Sequence, residues 1–279
     1  VDEATSLVFI GDTDQLPSVG PGNVLREILA AGIPSVRLTE IFRQAHQSQI
    51  VVNAHRCNRG ESLEFKEGKD DFFFIQEEDN QQLVKGIVQI VVRLVGEGNP
   101  IEDIQVLSPM KKTEVGVESL NNVLQGALNP YHPLKGQMEK KNIVYRVGDK
   151  VMQLVNNYDK EVFNGDIGII YQMETGEQDN HWLEVLYEDR RVKYSKEELD
   201  ELTLAYAITV HKSQGSEYQV VIMPVSTQHY IMLARNLIYT GITRARSKVI
   251  LLGTTKALSI AIKNNKVVQR NSKLASRIG

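Results

Sequence analysis

The stretch LAYAITVHKSQGSE, residues 204–217, decides the fold. Residues 204–210 form an apolar run with the composition of a buried strand, and the run ends abruptly in a polar loop. A second apolar run, residues 219–225, begins almost at once. Sheets of α/β proteins keep binding and catalytic groups in polar loops at the ends of buried strands. The stretch therefore predicts an α/β fold with a candidate functional loop at residues 211–217.

The side chains of this loop suit an anionic ligand. His211, Lys212, Ser213 and Gln214 supply hydrogen-bond donors that match phosphate groups or a nucleic-acid backbone. Gly215 lets the main chain approach a ligand closely. One such loop is weak support alone, so its meaning depends on the other polar loops of the chain.

The α/β pattern extends in both directions from this stretch. Apolar runs at residues 72–75, 104–107 and 248–252 predict further strands, and helical spacing of apolar residues predicts helices at 80–95, 117–128 and about 233–243. Upstream, we expect a short buried strand at 7–10, a helix that begins near Val24, a second strand at 35–38 and a helix that ends near Arg59. Residues 60–71 are polar and predict a linker, and residues 256–279 predict a helix followed by a polar tail.

Residues 141–200 have a different texture, with short β-rich runs joined by turns. Asn164-Gly165 predicts a hairpin between residues 162–163 and 167–170, because a tight turn of this kind favours residues that tolerate positive φ. We interpret this region as a small all-β barrel inserted into an α/β domain.

Composition narrows the classes of protein that fit. The chain has 279 residues, enough for two or three domains, and a net charge of -3 excludes a globally basic nucleic-acid-binding protein. The one cysteine, Cys57, excludes an internal disulfide and a cysteine-based zinc site, and the six histidines show no metal-ligand spacing. No apolar run is long enough to span a membrane and no signal peptide opens the chain, so we expect a cytoplasmic protein without membrane contact.

Three more polar loops complement residues 211–217, and each has a plain alternative. Asp12, Asp14 and Gln15 follow a predicted strand, where they suit a Mg²⁺–phosphate site but equally a solvated turn. The segment 240–246, with Arg244 and Arg246, suits an arginine finger or simple surface charge. Residues 108–112 are basic and suit phosphate contacts or a solvated turn.

Arg43 adds a further charged group to this set. A guanidinium is always charged and binds phosphate through two parallel bonds, although an ordinary surface arginine fits the same position. Taken together, phosphate-sensing groups in both halves of the chain indicate an NTP-driven motor with a cleft between two domains.

Four ordered segments carry a family resemblance. GDTDQLPSVGPG (11–22), LTEIFRQA (38–45), AITVHKSQGSE (207–217) and YTGITRARS (239–247) resemble motifs III, IV, V and VI of superfamily 1 helicases. The variant is that of the RecD family, which includes RecD-like and TraA-like 5′-to-3′ DNA helicases. Residues 106–125 also resemble the segment between motifs IV and V.

The resemblance implies a domain plan of RecA-like P-loop NTPase motor domains with an inserted SH3-like β-barrel. Residues 1–65 would be the end of the first motor domain. Residues 66–140 and 201–279 would form the second motor domain, and residues 141–200 would be the insertion.

The resemblance also implies roles at the matching positions. Gln15 would sense the γ-phosphate of ATP, and Arg43 and Arg244 would stabilise its charge in the transition state. Asp12, Gly215 and Glu217 would lie on the nucleotide side, with Glu217 near the ribose. Residues facing single-stranded DNA or duplex-junction DNA would be Pro109, Lys111, Thr209, His211 and Ser213, and contacts of this type follow phosphates without reading sequence.

The chain departs from the family pattern in one respect. No G-x-x-x-x-G-K-[ST] motif is present, because Gly68-Lys69 is followed by Asp70 and lacks the first glycine. Asp2-Glu3 resembles the acidic pair of motif II but lies only nine residues before Asp12. We therefore expect the C-terminal part of a longer helicase, with the Mg²⁺ ligands in a preceding N-terminal part and little activity in the 279 residues alone.

Two other functions remain open from the sequence. The chain fits a non-catalytic, helicase-like module that binds single-stranded DNA, although Gln15, Arg43 and Arg244 are the residues such a module would not need. It also fits the motor half of a conjugative relaxase, in which the same motifs follow a nicking domain.

Overall fold

The computed structural model describes residues 5–18, 20, 22–38, 48–66, 68, 70–174, 181–188, 190–265 and 272–278. Its α-helices are α1 (Val24–Ala30), α2 (Gln49–Arg59), α3 (Asn80–Gly96), α4 (Val117–Leu128), α5 (Arg235–Ile242), α6 (Thr255–Lys263) and α7 (Ala275–Ile278). Its strands are β1 (Phe72–Gln76), β2 (Ile104–Ser108), β3 (Gln137–Lys140), β4 (Ile143–Arg146), β5 (Lys150–Gln153), β6 (Ile167–Glu174), β7 (Trp182–Tyr187), β8 (Arg190–Ser195), β9 (Leu202–Leu204), β10 (Ala207–Thr209), β11 (Tyr218–Val225) and β12 (Ala245–Gly253).

A parallel sheet forms the centre of the fold. In the part of the chain that the structure describes, it has five strands in the order β1-β12-β11-β2-β10. Alternate residues of β11 enter two apolar clusters: Val220 and Ile222 pack on the face covered by α3 and α4, whereas Val221 and Met223 pack on the face covered by α2, α5 and α6. A sheet buried on both faces by helices is an α/β architecture, so the predicted fold class is confirmed.

The helices form where apolar spacing and capping residues agree. Helix α3 buries Leu83, Ile87 and Val91 at helical spacing, and the Asp79 carboxylate accepts a hydrogen bond from the Gln82 amide at 2.8 Å at its start. Asp71 begins the sheet region and also caps α2, because its Oδ2 accepts from the Gln49 amide at 2.7 Å. The predicted linker before β1 is therefore tied to α2 at its end.

The apolar run that decided the fold class divides between two sheets. We predicted one strand over residues 204–210, but β9 pairs with the antiparallel sheet and β10 with the parallel sheet. Between them, the Ala205 and Tyr206 carbonyls accept hydrogen bonds from the buried Gln105 amide at 3.1 and 3.2 Å. These side-chain bonds satisfy the main chain where it changes sheets, which a composition pattern does not reveal.

The predicted β-rich region folds as an antiparallel sheet. Among the described residues its strand order is β8-β7-β6-β5-β9, and the hairpin β3–β4 lies beside it. The predicted pairing of residues 162–163 with 167–170 is wrong, because Val162 pairs with Asn157 instead. Gly165 has φ +106, and its amide donates to the Gln153 carbonyl at 2.9 Å, so the Asn164-Gly165 turn closes a longer loop.

Residues 5–38 differ from the rest of the fold. The predicted buried strand at 7–10 is wrong: these residues form no strand in the described structure, and Ile10 is 94% exposed. The predicted strand at 35–38 is also absent, whereas α1 is present as predicted but buries none of its residues. A strand needs a partner for its main-chain hydrogen bonds, and no described strand pairs with either segment.

No helix in the described ranges is long and apolar enough to cross a membrane.

Candidate functional site

Gln15 and Arg244 meet where the loop after residue 10 packs against the end of α5. The Arg244 Nη2 donates to Gln15 Oε1 at 3.2 Å, and Nη1 donates to the Ser216 carbonyl at 3.0 Å. The sequence placed these two residues 229 positions apart in separate motifs. Their contact brings together two of the three residues predicted to sense the γ-phosphate.

The guanidinium of Arg244 is buried yet incompletely satisfied. Its residue is 8% exposed, and its Nε has no hydrogen-bond partner among the described residues. Buried cations require acceptors, and an unused N–H on a desolvated guanidinium is a strong site for an anion. The residues at this position fit a phosphate group.

Asp12 orients Gln15 rather than standing alone. The Asp12 Oδ2 accepts from Gln15 Nε2 at 3.1 Å and from the Tyr239 hydroxyl at 2.9 Å. Burial raises the pKa of Tyr239, and the neighbouring Asp12 carboxylate raises it further, so the phenol keeps its proton and donates. Tyr239 therefore joins the predicted set as a residue that positions Asp12.

Gly215 and Glu217 lie on the exposed side of the same loop. Gly215 is exposed with φ +87, a conformation that L side chains rarely adopt. Glu217 accepts from Arg246 Nε at 2.8 Å, and both side chains are at least half exposed. This ion pair is a surface contact, and the predicted nucleotide roles of Gly215 and Glu217 stay predictions.

The residues predicted to face DNA divide into exposed and buried groups. Lys111 is exposed, and Thr209 and His211 are half-buried. Pro109 is buried, and Ser213 is fully buried with its hydroxyl donating to the Val210 carbonyl at 2.8 Å. The structure therefore gives Ser213 the role of closing the turn, and its side chain has no surface with which to contact DNA.

Lys212 is a candidate that our assignment of DNA-facing residues missed. Burial lowers the pKa of Lys212, and repulsion from the positive charge of Lys111 lowers it further. The Lys212 Nζ donates to Asn164 Oδ1 at 2.5 Å, and Asn164 belongs to the loop of the antiparallel sheet. The presence of a lysine in the loop 211–217 could have identified Lys212 as a DNA contact. No local sequence pattern predicts its hydrogen bond to Asn164.

Two predicted features lie outside the described residues: Arg43, and the acidic pair Asp2-Glu3. Within the described ranges, no group of three or more histidine, cysteine, aspartate or glutamate side chains is placed to hold a metal ion.

Three family models match the chain. Residues 120–187 match the SH3 domain of ATP-dependent RecD-like DNA helicases, residues 204–252 match a UvrD-like helicase C-terminal domain, and residues 1–80 match an AAA domain. The ATP-dependent RecD2 DNA helicase of Deinococcus radiodurans is 34% identical over 278 residues, which cover 100% of this chain and 36% of the relative. The chain belongs to the RecD-like superfamily 1 helicases. The predicted family and the SH3-like insertion in RecA-like motor domains are thereby confirmed.

Matches to two more distant helicases span a larger share of each relative's length. The RecBCD enzyme subunit RecD of Mycolicibacterium smegmatis is 25% identical and matches 94% of this chain and 48% of the relative. A solved structure of Pif1 helicase from Bacteroides in complex with ADP-AlF3 and ssDNA aligns with a TM-score of 0.49 at 19% identity, over 86% of this chain and 60% of that one. The chain thus spans 36% and 48% of the length of the two curated relatives and 60% of the Pif1 chain, and the Pif1 likeness is too distant to transfer residue roles.

Proposed function

We propose that the intact protein is an ATP-dependent DNA helicase that moves 5′-to-3′ on single-stranded DNA and separates duplex DNA, acting in repair or recombination. The observation that carries this proposal is the buried Arg244 guanidinium, whose Nη2 donates to Gln15 and whose Nε has no hydrogen-bond partner among the described residues. The RecD2 relative, described as an ATP-dependent DNA helicase, supports the choice of nucleotide and nucleic acid. A cytoplasmic location is part of the proposal because its substrate is DNA.

Within this chain, Arg244 is the group that would compensate charge on a transferring phosphoryl group. ATP, when bound, supplies the phosphoanhydride whose cleavage drives movement. Arg244 is preorganised for this task because the Ser216 carbonyl and Gln15 fix its plane and solvent is largely excluded. Gln15 is the uncharged partner of Arg244 and would sense the same phosphoryl group. Arg43 is proposed as a second cation, and Gly215 and Glu217 as contacts to the nucleoside side.

The DNA path is proposed to follow the edge of the parallel sheet at the ends of β2 and β10. Lys111, Lys212 and Thr209 lie there, and the contact of Lys212 with Asn164 brings the SH3-like insertion to the same place. Basic and hydroxyl groups at this edge suit backbone phosphates, which explains binding without sequence preference. We propose single-stranded DNA and duplex-junction DNA as the partners.

We propose the same domain division as the sequence predicts. Residues 1–65 end the first motor domain, residues 66–140 and 201–279 form the second, and residues 141–200 form the insertion. The antiparallel sheet extends to Leu204, four residues beyond the proposed insertion, and the SH3 match begins at residue 120 inside α4. The boundaries of the insertion and of the second motor domain therefore overlap at these elements.

The direct test is unwinding by the intact protein on matched substrates. A duplex with a single-stranded 5′ tail and the same duplex with a 3′ tail are each incubated with ATP. We expect strand separation of the 5′-tailed substrate and little of the 3′-tailed one. Tight DNA binding without ATP turnover on either substrate would contradict the proposal and favour a non-catalytic binding module.

A further inference from the structure

The main chain of Leu16 is held on both sides by residues of the second motor domain. Its amide donates to the Thr240 hydroxyl at 2.8 Å, and its carbonyl accepts a hydrogen bond from the Gln214 side-chain amide. Leu16 also packs its side chain against the apolar cluster that covers one face of the parallel sheet. Both main-chain groups and the side chain of a single loop residue are therefore anchored.

This anchor sets the position of Gln15, which precedes Leu16. Residues 5–18 contain no helix or strand in the described structure, so few main-chain bonds of their own hold Gln15 in place. Its side chain is oriented by Asp12 and Arg244, whereas its main chain follows Leu16. Movement of Gln214 or Thr240 would consequently move Gln15 relative to Arg244.

Gln214 lies midway along a loop that crosses the parallel sheet from one edge to the other. At the loop's start, Thr209 pairs with Ser108 at the carboxyl end of β2. At its end, Val220 pairs with Ile104 at the opposite end of β2, about 13 Å away at the usual rise per strand residue. Lys212 lies in the half of the loop near the carboxyl end of β2. The Ser216 carbonyl, which accepts from Arg244, lies in the other half.

Thr240 connects the same anchor to Arg244 through α5. Its side chain is fully buried, and its carbonyl accepts from the Thr243 hydroxyl at 3.0 Å. The Thr243 hydroxyl in turn lies 3.5 Å from Arg244 Nη2. Leu16 is thus linked through Gln214 to the loop 210–217 and through Thr240 to α5, which precedes Arg244.

We propose that Gln214 and Thr240 are positioning residues that couple DNA binding at the sheet edge to the Gln15–Arg244 pair. This inference rests on the proposed motor function. DNA that orders the loop 210–217 fixes Gln214, Gln214 and Thr240 fix Leu16, and Leu16 places Gln15 against Arg244. The amide N–H of Gln214 and the hydroxyl oxygen of Thr240 are the two atoms that the coupling requires.

The experiment compares near-isosteric variants in the intact protein. Gln214→Glu keeps the side-chain shape but replaces the N–H donor with an acceptor, and Thr240→Val removes the hydroxyl, whereas Thr240→Ser retains it. The ratio of ATP turnover with saturating single-stranded DNA to turnover without DNA is measured, together with DNA affinity. We expect Gln214→Glu and Thr240→Val each to lower the ratio about tenfold, the effect of one lost hydrogen bond.

The controls separate coupling from stability. Thr240→Ser should retain at least half of the wild-type ratio, and the DNA affinity of Thr240→Val, a change at a buried residue away from the proposed DNA path, should stay within twofold of wild type. Gln214 is partly exposed, so its substitution does not disturb core packing. An unchanged ratio in Gln214→Glu would overturn the coupling and leave the proposed motor function standing. A wild-type protein whose ATP turnover does not respond to DNA would overturn both the motor function and the coupling.

Discussion

Two segments of this chain have nearly the same apolar composition and very different environments. Residues 7–10 read Leu-Val-Phe-Ile and residues 220–223 read Val-Val-Ile-Met. The second segment lies in β11, between β2 and β12, and is buried throughout. The first has no strand partner in the described structure and leaves all four side chains more than 60% exposed. Strand-like composition therefore predicts a strand only where neighbouring strands complete the main-chain hydrogen bonds.

The comparison extends to the regions around the two segments. We call residues 5–38 the arm and residues 70–263 the sheet body. The described residues of the arm bury no apolar side chain, although Leu16 packs against the sheet body. These residues are otherwise held by polar contacts such as the bond from Asn58 to Asp14. The stability of the chain therefore resides in the sheet body, whereas the arm supplies groups to the candidate site.

The largest expected difference comes from one substitution made in both regions. Ile222→Ala removes a fully buried side chain from β11 and should cost about 4 kcal/mol of unfolding free energy, because it leaves a cavity in the core. Ile10→Ala removes the same atoms from a side chain that is 94% exposed and should change stability by less than about 0.5 kcal/mol. Urea unfolding of the chain measures both, and equal losses would refute the distinction.

Lys150 tests whether the sheet body tolerates a buried charge. It is fully buried, and its ammonium donates to the main-chain carbonyls of Ile101, Glu102 and Ile104 at 2.8–3.3 Å. Burial lowers the pKa of Lys150 from 10.5 to about 7. The unfolded chain then binds the proton more readily between pH 7 and pH 10.5, so native stability should rise with pH in that window.

The expected rise is about 1.4 kcal/mol per pH unit, or about 2 to 3 kcal/mol between pH 7.5 and pH 9.5. The Lys150→Met variant should lack this rise, whereas Lys85→Met on the exposed surface of α3 should retain it. Parallel stability curves for wild type and Lys150→Met over this range would show that Lys150 is not the titrating group.

His229 provides a smaller effect on the acid side. It is fully buried, with Nε2 3.3 Å from the Thr113 hydroxyl, and burial lowers its pKa from 6.5 to about 4. Between these values the unfolded chain takes up the proton and the native chain does not, so stability should fall as pH drops. From pH 6 to pH 5 we expect a loss of about 1 kcal/mol that His229→Gln does not share. An equal loss in both proteins would assign the effect to other groups.

The smallest effect belongs to the arm. Arg37 forms an ion pair with Asp14 at 2.6 Å, but the Arg37 side chain is 68% exposed. Exposed ion pairs contribute little, so Arg37→Ala should lower stability by about 0.5 kcal/mol or less. Arg93→Ala, which breaks the exposed pair with Glu97 on α3, is the matched control. A loss well above that of the control would mean that the arm stabilises the fold.

Local patterns were sufficient for most of the sheet body. The strands at 72–76 and 104–108 and the helices at 80–96 and 117–128 follow from apolar spacing and lie within a residue or two of their predicted bounds. Patterns failed where the outcome depends on distant partners. The split of residues 204–210 needs the Gln105 side chain, and the pairing of Val162 with Asn157 replaces a hairpin that Asn164-Gly165 favoured locally.

The candidate site was predictable as a set of motifs but not as a set of contacts. Motif order identified Gln15 and Arg244, and the structure joins them. No local signal predicted that Ser213 would turn inward or that Tyr239 and Thr240 would bind the loop at residues 12–16. Such contacts depend on how the arm lies against the sheet body, and composition and spacing do not encode that arrangement.

Lys111 and Lys212 test the placement of DNA at the sheet edge. If each contacts a phosphate, Lys111→Ala or Lys212→Ala in the intact protein should weaken single-stranded DNA binding and reduce the slope of log affinity against log salt by about 0.7 to 1. The Lys85→Ala control should leave the slope unchanged. A slope that is unaltered by either change would move the DNA path elsewhere.

The most direct test of the central claim is the effect of Arg244→Ala on ATP turnover in the intact protein. Our account predicts that turnover stimulated by single-stranded DNA falls by about a hundredfold or more, as for loss of a transition-state cation, while DNA affinity changes little. Arg93→Ala should behave as wild type in both measurements. Near-normal turnover in Arg244→Ala would contradict the claim that the buried guanidinium beside Gln15 is the phosphate-sensing group of the proposed motor.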